Sequence, residues 1–339
     1  MDPSGAPTNP GIRERLLWGI DLATSRGLEI GPLHNPRLTK HEADVRYLDH
    51  ASKAELREKY RGNRDAEPFA DRLVDVDYIW QPGRTLAEVL GDWSPVGFVI
   101  ASHVIEHVAN PIQWLQDISA ILMPGGVLSL VVPDRRYTFD ARRRDTGLAQ
   151  LIDVYLRGID TPTPQQIFDH EAEFMGDISA DALWGGFDPA SQARTDADDP
   201  LRFAFDVCRA QLATGEYRDV HASTFTPTSL LERLAEIVRL GLTDLSIAEI
   251  FPTDRGSYEF FLTVVKDEAA DDATRLDRIA RARAKVAAFE AAAASTEAEP
   301  APAAQLLLSD RERRLIEIKR AALERAAPFR RRIAARRGR

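Results

Sequence analysis

Cysteine is nearly absent from this sequence, since Cys208 is the single thiol among 339 residues. One thiol can form neither a disulfide within the chain nor a cysteine-based zinc site, and such scarcity is typical of a reducing compartment. The sequence also lacks an apolar run long enough to cross a bilayer. Its first residues lack the basic and apolar stretches of an export signal. These absences predict a soluble, cytoplasmic protein.

Charge is distributed unevenly along the chain, and the net charge of -9 conceals how acidic most of it is. Residues 311–339 contain twelve Arg or Lys against three Glu, so the rest of the chain is strongly acidic. An acidic body argues against a broad nucleic-acid-binding surface. Three alternatives fit the basic end: a disordered terminus, a contact with an anionic surface, or a helical arm that binds another protein. The apolar stripe of such an arm would be formed by Leu308, Leu315, Ile316 and Leu323.

Short apolar runs alternate with helical patterns through most of the chain, which predicts a doubly wound α/β fold with a mostly parallel sheet. The predicted strands are 28–30, 45–48, 73–79, 98–101, 127–132, 245–250 and 259–265. Ser52, Thr85 and Asn110 are predicted to cap helices that follow them. Gly27 is the predicted stop of a first helix that contains Ile12, and the crossover after Gly31 has room for one helical turn after Pro36. The alternation lapses over 135–222, which we interpret as a helical insertion that covers the substrate. The predicted divisions are a disordered segment 1–11, a core domain 12–134 and 223–266, the insertion, and a charged helical tail 267–339 with a linker at 295–304.

Glycine is scarce where a dinucleotide would require it. The first strand ends at Glu29-Ile30-Gly31, and Pro32 follows instead of a second glycine. A charged pyrophosphate needs several glycines to approach the backbone at a helix N-terminus. S-adenosylmethionine has no phosphate, so one glycine can be enough for its amino-acid end. The turn therefore favours S-adenosylmethionine over NAD or a nucleotide sugar, which stay as alternatives.

Acidic residues follow the next two strands. Asp49 ends the second strand at the spacing from Gly31 that is typical of a ribose-binding acid, although a solvated strand end is the alternative. His50 is a candidate neighbour of the adenine or a surface residue. Asp77 and Tyr78, at the end of the third strand, are candidates for binding the adenine amino group, although two acids on this strand could equally be exposed.

Four segments resemble those of class I S-adenosylmethionine-dependent methyltransferases, in the small-molecule branch called type 11. They are Leu-Glu-Ile-Gly at 28–31, Tyr-Leu-Asp at 47–49, the run 98–108, and Leu-Met-Pro-Gly-Gly-Val-Leu-Ser-Leu-Val-Val-Pro-Asp at 122–134. The resemblance implies a seven-stranded sheet whose antiparallel strand is 259–265. It implies that Glu29, Gly31, Pro32 and Asp49 hold the cofactor, and that Ser102 and His103 line its methyl end. The further glycines of the family are absent, and the crossover after Gly31 is short.

The expected reaction is methylation of a small molecule or glycan, with oxygen as the expected acceptor atom. His103 is the candidate general base because it lies at the end of a buried strand, and His170 and His221 are rivals. The alternative is a non-catalytic binding or scaffold protein on the same fold. His103-Val-Ile-Glu106-His107 also matches a zinc-peptidase pattern, but that pattern needs a helix. We therefore predict no metal, with Glu106 and His107 as a hydrogen-bonded pair that fixes the turn.

The insertion is rich in aromatic residues, which would either shape an acceptor pocket or pack the insertion against the sheet. They are Tyr137, Phe139, Tyr155, Phe168, Phe174, Trp184 and Phe187.

Overall fold

A computed structural model describes residues 9–61, 67–81, 83–176, 178–191 and 199–295 of the chain. Most of the predicted disordered segment 1–11, nearly all of the predicted linker 295–304 and the whole basic end lie outside these residues.

A seven-stranded sheet forms the centre of the protein, in the order β3-β2-β1-β4-β5-β7-β6. Its strands are β1 (Gly27–Ile30), β2 (Val45–Asp49), β3 (Tyr78–Ile79), β4 (Val96–Ser102), β5 (Leu122–Pro133), β6 (Leu245–Phe251) and β7 (Glu259–Lys266). Strand β7 runs antiparallel to both of its neighbours, and the other pairs are parallel. The predicted fold class, with its single antiparallel strand, is confirmed.

Helices cover both faces of this sheet, and several begin with the side-chain caps that the sequence predicts. They are α1 (Ile12–Leu16), α2 (Lys53–Tyr60), α3 (Glu67–Ala70), α4 (Leu86–Leu90), α5 (Pro111–Ile121), α6 (Leu148–Leu156), α7 (Pro164–Glu173), α8 (Ala180–Trp184), α9 (Pro200–Thr214), α10 (Pro227–Arg239) and α11 (Asp272–Ser295). Ser52 and Thr85 form capping boxes at α2 and α4. Asn110 caps α5, with Pro111 in its first turn. No helix in the described part of the chain is both long enough and apolar enough to span a membrane.

The core lies on both faces of the central strands. In β4, Phe98, Val99 and Ile100 are all fully buried, as expected of a strand that is covered on both sides. Their side chains alternate between two hydrophobic clusters, with Val99 on one face and Phe98 and Ile100 on the other. This packing holds the carboxyl ends of β1, β4 and β5 at one rigid edge.

Two elements near this edge are shorter than predicted. The third strand is only Tyr78–Ile79, because Asp77 turns its side chain to the sheet and accepts a hydrogen bond from the Tyr47 backbone N–H at 2.8 Å. Residues 31–44 connect β1 to β2 without any helix, whereas the sequence left room for one turn after Pro36. The first helix also ends at Leu16, well before the predicted stop at Gly27.

The helical insertion leaves the sheet after β5 and returns before α10. Its ends meet, because Asp134 and Phe225 form a parallel β-bridge and the Arg135 N–H donates to the Phe225 carbonyl at 2.9 Å. Helices α6 to α9 lie between these ends. The predicted helix at the start of the tail is α11, and its Ile279 and Val286 are buried in the main core. This part of the predicted tail therefore packs as a component of the core domain.

Candidate active site

The carboxyl ends of β2, β1 and β4 lie side by side, because β1 pairs with both of the other strands. Connections leave β1 and β4 toward opposite sides of the sheet, so a crevice between them is the usual ligand position in such folds. Gly31, Asp49 and Ser102 are the residues at or just beyond these ends. The sheet thus brings together three of the residues that the sequence assigns to a cofactor.

Gly31 makes the turn out of β1. Its φ is +67°, a conformation that favours glycine, and its N–H donates to the Leu48 carbonyl at 2.8 Å. Leu33 and His103 also have positive φ, at 48° and 55°. A bulky residue in this region is strained, and such strain concentrates at functional sites. Pro32, also predicted to contact the cofactor, is buried, and its carbonyl accepts from the Asn35 N–H at 3.0 Å.

Asp49 is buried, with 4% of its surface exposed. Its Oδ1 accepts from the His50 backbone N–H at 2.7 Å and lies 2.6 Å from His50 Nδ1. Within the described part of the chain, its Oδ2 has no hydrogen-bond partner. A buried carboxylate oxygen without a donor is costly, so this atom is suited to accept a hydrogen bond from a ligand.

The Glu29 side chain is hydrogen-bonded to the loop that follows β1. Its carboxylate accepts from the backbone N–H groups of Arg37 at 2.6 Å and Leu38 at 3.1 Å. Burial raises the pKa of Glu29 to about 7, although these two N–H groups favour the charged form. Glu29 therefore fixes the path of the loop, and any effect of this side chain on a cofactor passes through that loop.

Arg37 is held across the edge of the sheet by this arrangement. Its Nε and Nη2 donate to Ser102 Oγ at 3.2 and 2.9 Å. The guanidinium thereby lies next to the end of β4, beside the turn at Gly31. Sequence analysis missed this residue, and its one signal was a basic residue, one of two with Lys40, in the loop after Gly31.

The remaining predicted cofactor residues lie near β3. Asp77 is paired on both oxygens, with Lys40 Nζ at 2.7 Å from Oδ1 and the Tyr47 N–H at 2.8 Å from Oδ2. Tyr78 is half-buried and packs against the main core. The His50 side chain is 51% exposed and stays beside Asp49. The roles of these three residues in binding adenine stay predictions.

His103, the predicted general base, is turned toward two carboxylates. Its Nε2 lies 2.7 Å from Glu259 Oε2 and its Nδ1 lies 3.5 Å from Glu106 Oε1. Burial lowers the pKa of this imidazole, but the two carboxylates outweigh burial and raise it to about 9. The ring is thus cationic at neutral pH, and both nitrogens face groups of the chain itself. Its role as a base stays a prediction, and this geometry does not favour it.

A cluster of polar side chains lies where the insertion meets the end of β4. Glu106 and His107 belong to the short turn Ile105–His107 after β4, and His221 comes from the last residues of the insertion. His107 and His221 pack edge to face with ring centroids 4.7 Å apart. The Ser223 N–H donates to the Glu106 carbonyl at 3.0 Å, which fixes the end of the insertion against this turn.

Asp140 supports this cluster from within the insertion. One oxygen, Oδ2, lies 2.5 Å from His221 Nδ1, and the other accepts from Arg143 Nη1 at 2.9 Å. Burial raises the pKa of Asp140, but His221 and Arg143 outweigh burial and hold it well below its usual range. His170, the other predicted rival base, has its ring 5.8 Å from that of His221. No local pattern in the sequence indicates that Asp140 and Arg143 lie beside these histidines.

Several aromatic side chains of the insertion pack against one another in its own interior, an arrangement that neither of the two sequence interpretations specified. Phe139 and Met175 are buried together, with Phe174 and Phe187 against them. Tyr137 stacks on Trp184 with ring centroids 3.7 Å apart. The Trp184 indole donates to the Ser257 carbonyl at 2.7 Å, which ties the insertion to the loop before β7.

Comparison with known proteins identifies the domain. Residues 13–169 match the model of a family described as a methyltransferase domain. This chain carries a methyltransferase domain. Its methyl donor is S-adenosylmethionine, as the turn at Gly31 predicted. The match favours an enzyme over a non-catalytic scaffold, and it extends beyond residue 134 into the predicted insertion.

Solved structures resemble this methyltransferase more distantly. A carbon methyltransferase, CurJ, is 14% identical over 72% of this chain, with a TM-score of 0.33, and the match spans about half (48%) of that protein's length. An S-adenosylmethionine-dependent methyltransferase from Mesorhizobium loti is 13% identical over 75% of this chain and 98% of its own, with a TM-score of 0.36. The CcbJ methyltransferase from Streptomyces caelestis is 15% identical over 74% and 93% of the two chains, with a TM-score of 0.36. No curated protein sequence matches the chain.

The residues at the sheet edge fit the cofactor. Asp49 Oδ2 is a buried acceptor that has no donor within the described chain, and a ribose hydroxyl is a donor of the required kind. Arg37 supplies a cation near Gly31, where the amino-acid end of the cofactor carries a carboxylate.

Proposed function

We propose that this methyltransferase transfers a methyl group from S-adenosylmethionine to a hydroxyl oxygen of a small molecule or glycan. The observation that carries the proposal is a buried acceptor atom at the end of β2 together with a polar cluster just after β4, on the same edge of the sheet. The acceptor is Asp49 Oδ2, which has no hydrogen-bond partner within the described chain, and the cluster is Glu106, His107 and His221, which the insertion completes.

Three groups of this chain are suited to hold the donor. Asp49 Oδ2 accepts from the ribose hydroxyls, and the turn at Gly31, which has no side chain, lets the amino-acid end approach the backbone. Arg37 pairs with the donor's carboxylate, since its guanidinium already lies at the edge beside Ser102. The bound cofactor supplies a methyl carbon activated by a sulfonium. The protein then has to align the acceptor with that carbon and exclude water.

The side facing the acceptor is polar, which supports a hydroxylated substrate. Glu106, His107 and His221 form a polar cluster where the insertion meets the turn after β4, and an acceptor with hydroxyl groups suits such surroundings better than a purely apolar one. During transfer, an acceptor oxygen lone pair forms the new O–C bond while the C–S bond breaks. The electron pair of that bond stays on sulfur, and the hydroxyl proton leaves to solvent.

Replacing Asp49 tests the donor site. The D49A variant should bind S-adenosylhomocysteine about 100-fold more weakly, since it loses charge-assisted hydrogen bonds worth about 1.5–3 kcal/mol each. Isothermal titration calorimetry measures this loss. The matched control is D75A, because Asp75 lies two residues before Asp77 with its side chain 86% exposed. Equal affinities of D49A and D75A would contradict the assignment of Asp49.

A second experiment tests the acceptor class. The protein is incubated with S-adenosylmethionine labelled in its methyl group and with a panel of phenols, sugars and polar metabolites, and products are identified by mass spectrometry and NMR. We expect label in O-methyl groups. Label confined to nitrogen or carbon would contradict the proposal, and cofactor binding without any transfer would favour the scaffold alternative.

A further inference from the structure

The cluster below the insertion has the composition of a metal site. Glu106, His107 and His221 each offer a ligand atom, and these atoms all lie within 4.8 Å of one another. Two imidazoles and one carboxylate form a common ligand set for divalent transition metals. His103, the first histidine of the pattern His103-Val-Ile-Glu106-His107, is not one of these three residues. Its Nε2 lies beside Glu259 Oε2 instead.

Glu106 is the second observation that indicates a cation. This residue is 1% exposed, and within the described chain neither carboxylate oxygen has a hydrogen-bond partner. The distances from Oε1 are 3.5 Å to His103 Nδ1 and 3.9 Å to His107 Nε2. A buried carboxylate without hydrogen bonds is strongly destabilising unless a positive charge binds to it. The cationic His103 ring, 3.5 Å from Oε1, supplies part of that charge, and the carboxylate keeps acceptor capacity for a metal ion beside His107 and His221.

Each of the two histidines has a carboxylate oxygen beside its Nδ1. His107 Nδ1 lies 2.8 Å from Asp219 Oδ1, and His221 Nδ1 lies 2.5 Å from Asp140 Oδ2. A carboxylate at Nδ1 holds the proton there and leaves the Nε2 lone pair for a metal ion, which is the usual support of a metal-binding histidine. The predicted hydrogen bond between Glu106 and His107 is not formed, since His107 Nε2 lies 3.9 Å from Glu106 Oε1 and neither Glu106 oxygen has a hydrogen-bond partner within the described chain.

We propose that Glu106, His107 and His221 bind one divalent transition-metal ion, of the class of Zn²⁺ or Mn²⁺. Ligand atoms on one ion at about 2.1 Å lie about 3.4 Å apart, so the three side chains must close by about an ångström through small rotations. A three-ligand set leaves coordination positions open to a substrate oxygen. The ion would there lower the pKa of an acceptor hydroxyl. This last role rests on the proposed O-methylation, whereas the metal site does not.

Metal binding by the purified full chain tests the site. The protein is stripped with a chelator and then titrated with Zn²⁺, Mn²⁺ and Mg²⁺, with bound metal measured by mass spectrometry and affinity by competition with a chromophoric chelator. We expect one Zn²⁺ or Mn²⁺ per chain and a metal-dependent rise in the melting temperature. A preference for Mg²⁺ would contradict the proposed class of ion, because Mg²⁺ selects oxygen ligands.

Four variants locate the ion. H221Q and E106Q should each weaken Zn²⁺ binding by 100-fold or more. Asp219 lies beside His107 Nδ1 and is about half exposed. D219N should weaken Zn²⁺ binding by about 10- to 100-fold, because it changes this neighbour of a metal-binding histidine. The matched control is H41Q, which removes an exposed histidine outside the cluster and should bind as the wild type does. Equal affinities of H221Q and H41Q would overturn the proposal.

X-ray absorption at the zinc edge of the wild-type protein gives an answer that does not depend on whether a variant folds. Two imidazole ligands are expected, and fewer would overturn the proposal. S-adenosylhomocysteine binding, measured on the same samples, separates the two proposals. Intact cofactor binding without a metal site contradicts this inference alone, and a metal site without cofactor binding contradicts the proposed function alone.

Discussion

At the donor side, the groups that face the cofactor come from neighbouring strand ends, and all lie between positions 29 and 102. At the proposed acceptor side, Glu106 and His107 lie beside Asp219 and His221 from the far end of the insertion, and Asp140 from its start pairs with His221. The donor side depends on backbone turns and on a few hydrogen bonds to the backbone. The acceptor side depends on buried charges that neutralise one another. In the proposed function, the sheet edge holds the cofactor, and the buried charges where the insertion meets the end of β4 lie on the acceptor's side.

The largest expected effect is on the acceptor side. Arg143 is 3% exposed and pairs with Asp140 at 2.9 Å and with Asp169 at 2.7 Å. The R143M variant leaves Asp140 buried with less compensation, so its free energy of unfolding should fall by about 3–5 kcal/mol. Urea denaturation measures the loss.

The matched control for this variant is R157M. Arg157 pairs with Asp153 at 3.0 Å, but both side chains are more than half exposed. The free energy of unfolding of R157M should fall by no more than about 0.5 kcal/mol. Similar falls in the free energy of unfolding of the two variants would show that the buried charges of the insertion contribute no more than surface pairs. The proposed difference between the donor and acceptor sides would then be wrong.

A smaller effect tests the one buried carboxylate that supports the donor side. Burial raises the pKa of Glu29 to about 7, above its value of 4.5 in the unfolded chain. The folded state therefore binds the extra proton between these values, and the free energy of unfolding should fall as pH rises from about 4.5 to about 7. The loss amounts to at most about 3 kcal/mol.

Unfolding at a series of pH values, compared between the wild type and E29Q, measures this contribution. The variant has no titrating group at position 29, so its stability should decline less over this interval. Parallel curves would mean that the two N–H groups of Arg37 and Leu38 compensate fully for burial. The buried charge of Glu29 would then not destabilise the donor side. The two sides would differ more than proposed, because the acceptor side would still depend on its buried charges.

The smallest effect concerns a local feature of the insertion. Thr163 caps α7 by accepting from the Gln166 N–H at 3.2 Å. T163A should reduce the free energy of unfolding by about 1 kcal/mol, and T163S, which keeps the oxygen, should lose less. Thermal and urea denaturation measure both. A loss as large as that of R143M would mean that local caps contribute as much to the insertion as its buried ion pairs do.

Sequence analysis recovered the features that local patterns encode. Alternating apolar runs predicted the sheet, capping residues predicted the starts of α2, α4 and α5, and the spacing from Gly31 placed Asp49 at the correct strand end. The third strand was predicted too long. The Tyr47 N–H donates to the Asp77 side chain rather than to a backbone carbonyl, and the apolar pattern of 73–79 cannot show this.

Contacts between distant positions could not be predicted in this way. Glu106 and His221 are more than one hundred residues apart, and nothing in their local sequences indicates that the insertion brings them together. The pairing of His103 with Glu259 is a similar case, since β7 joins the sheet long after β4. Local signals therefore identified most residues of the proposed donor side, Arg37 excepted, whereas the meeting of Glu106, His107 and His221 depends on tertiary packing that local patterns do not show.

The bridge between Asp134 and Phe225 has a consequence for how such a protein can diversify. Because the insertion starts and finishes at paired positions, its length and content can change with little strain on the strands that carry it. An exchange of residues 135–222 between related chains would then replace the acceptor-facing wall as a single cassette. The nucleoside end of the enzyme could stay the same while new substrates are explored.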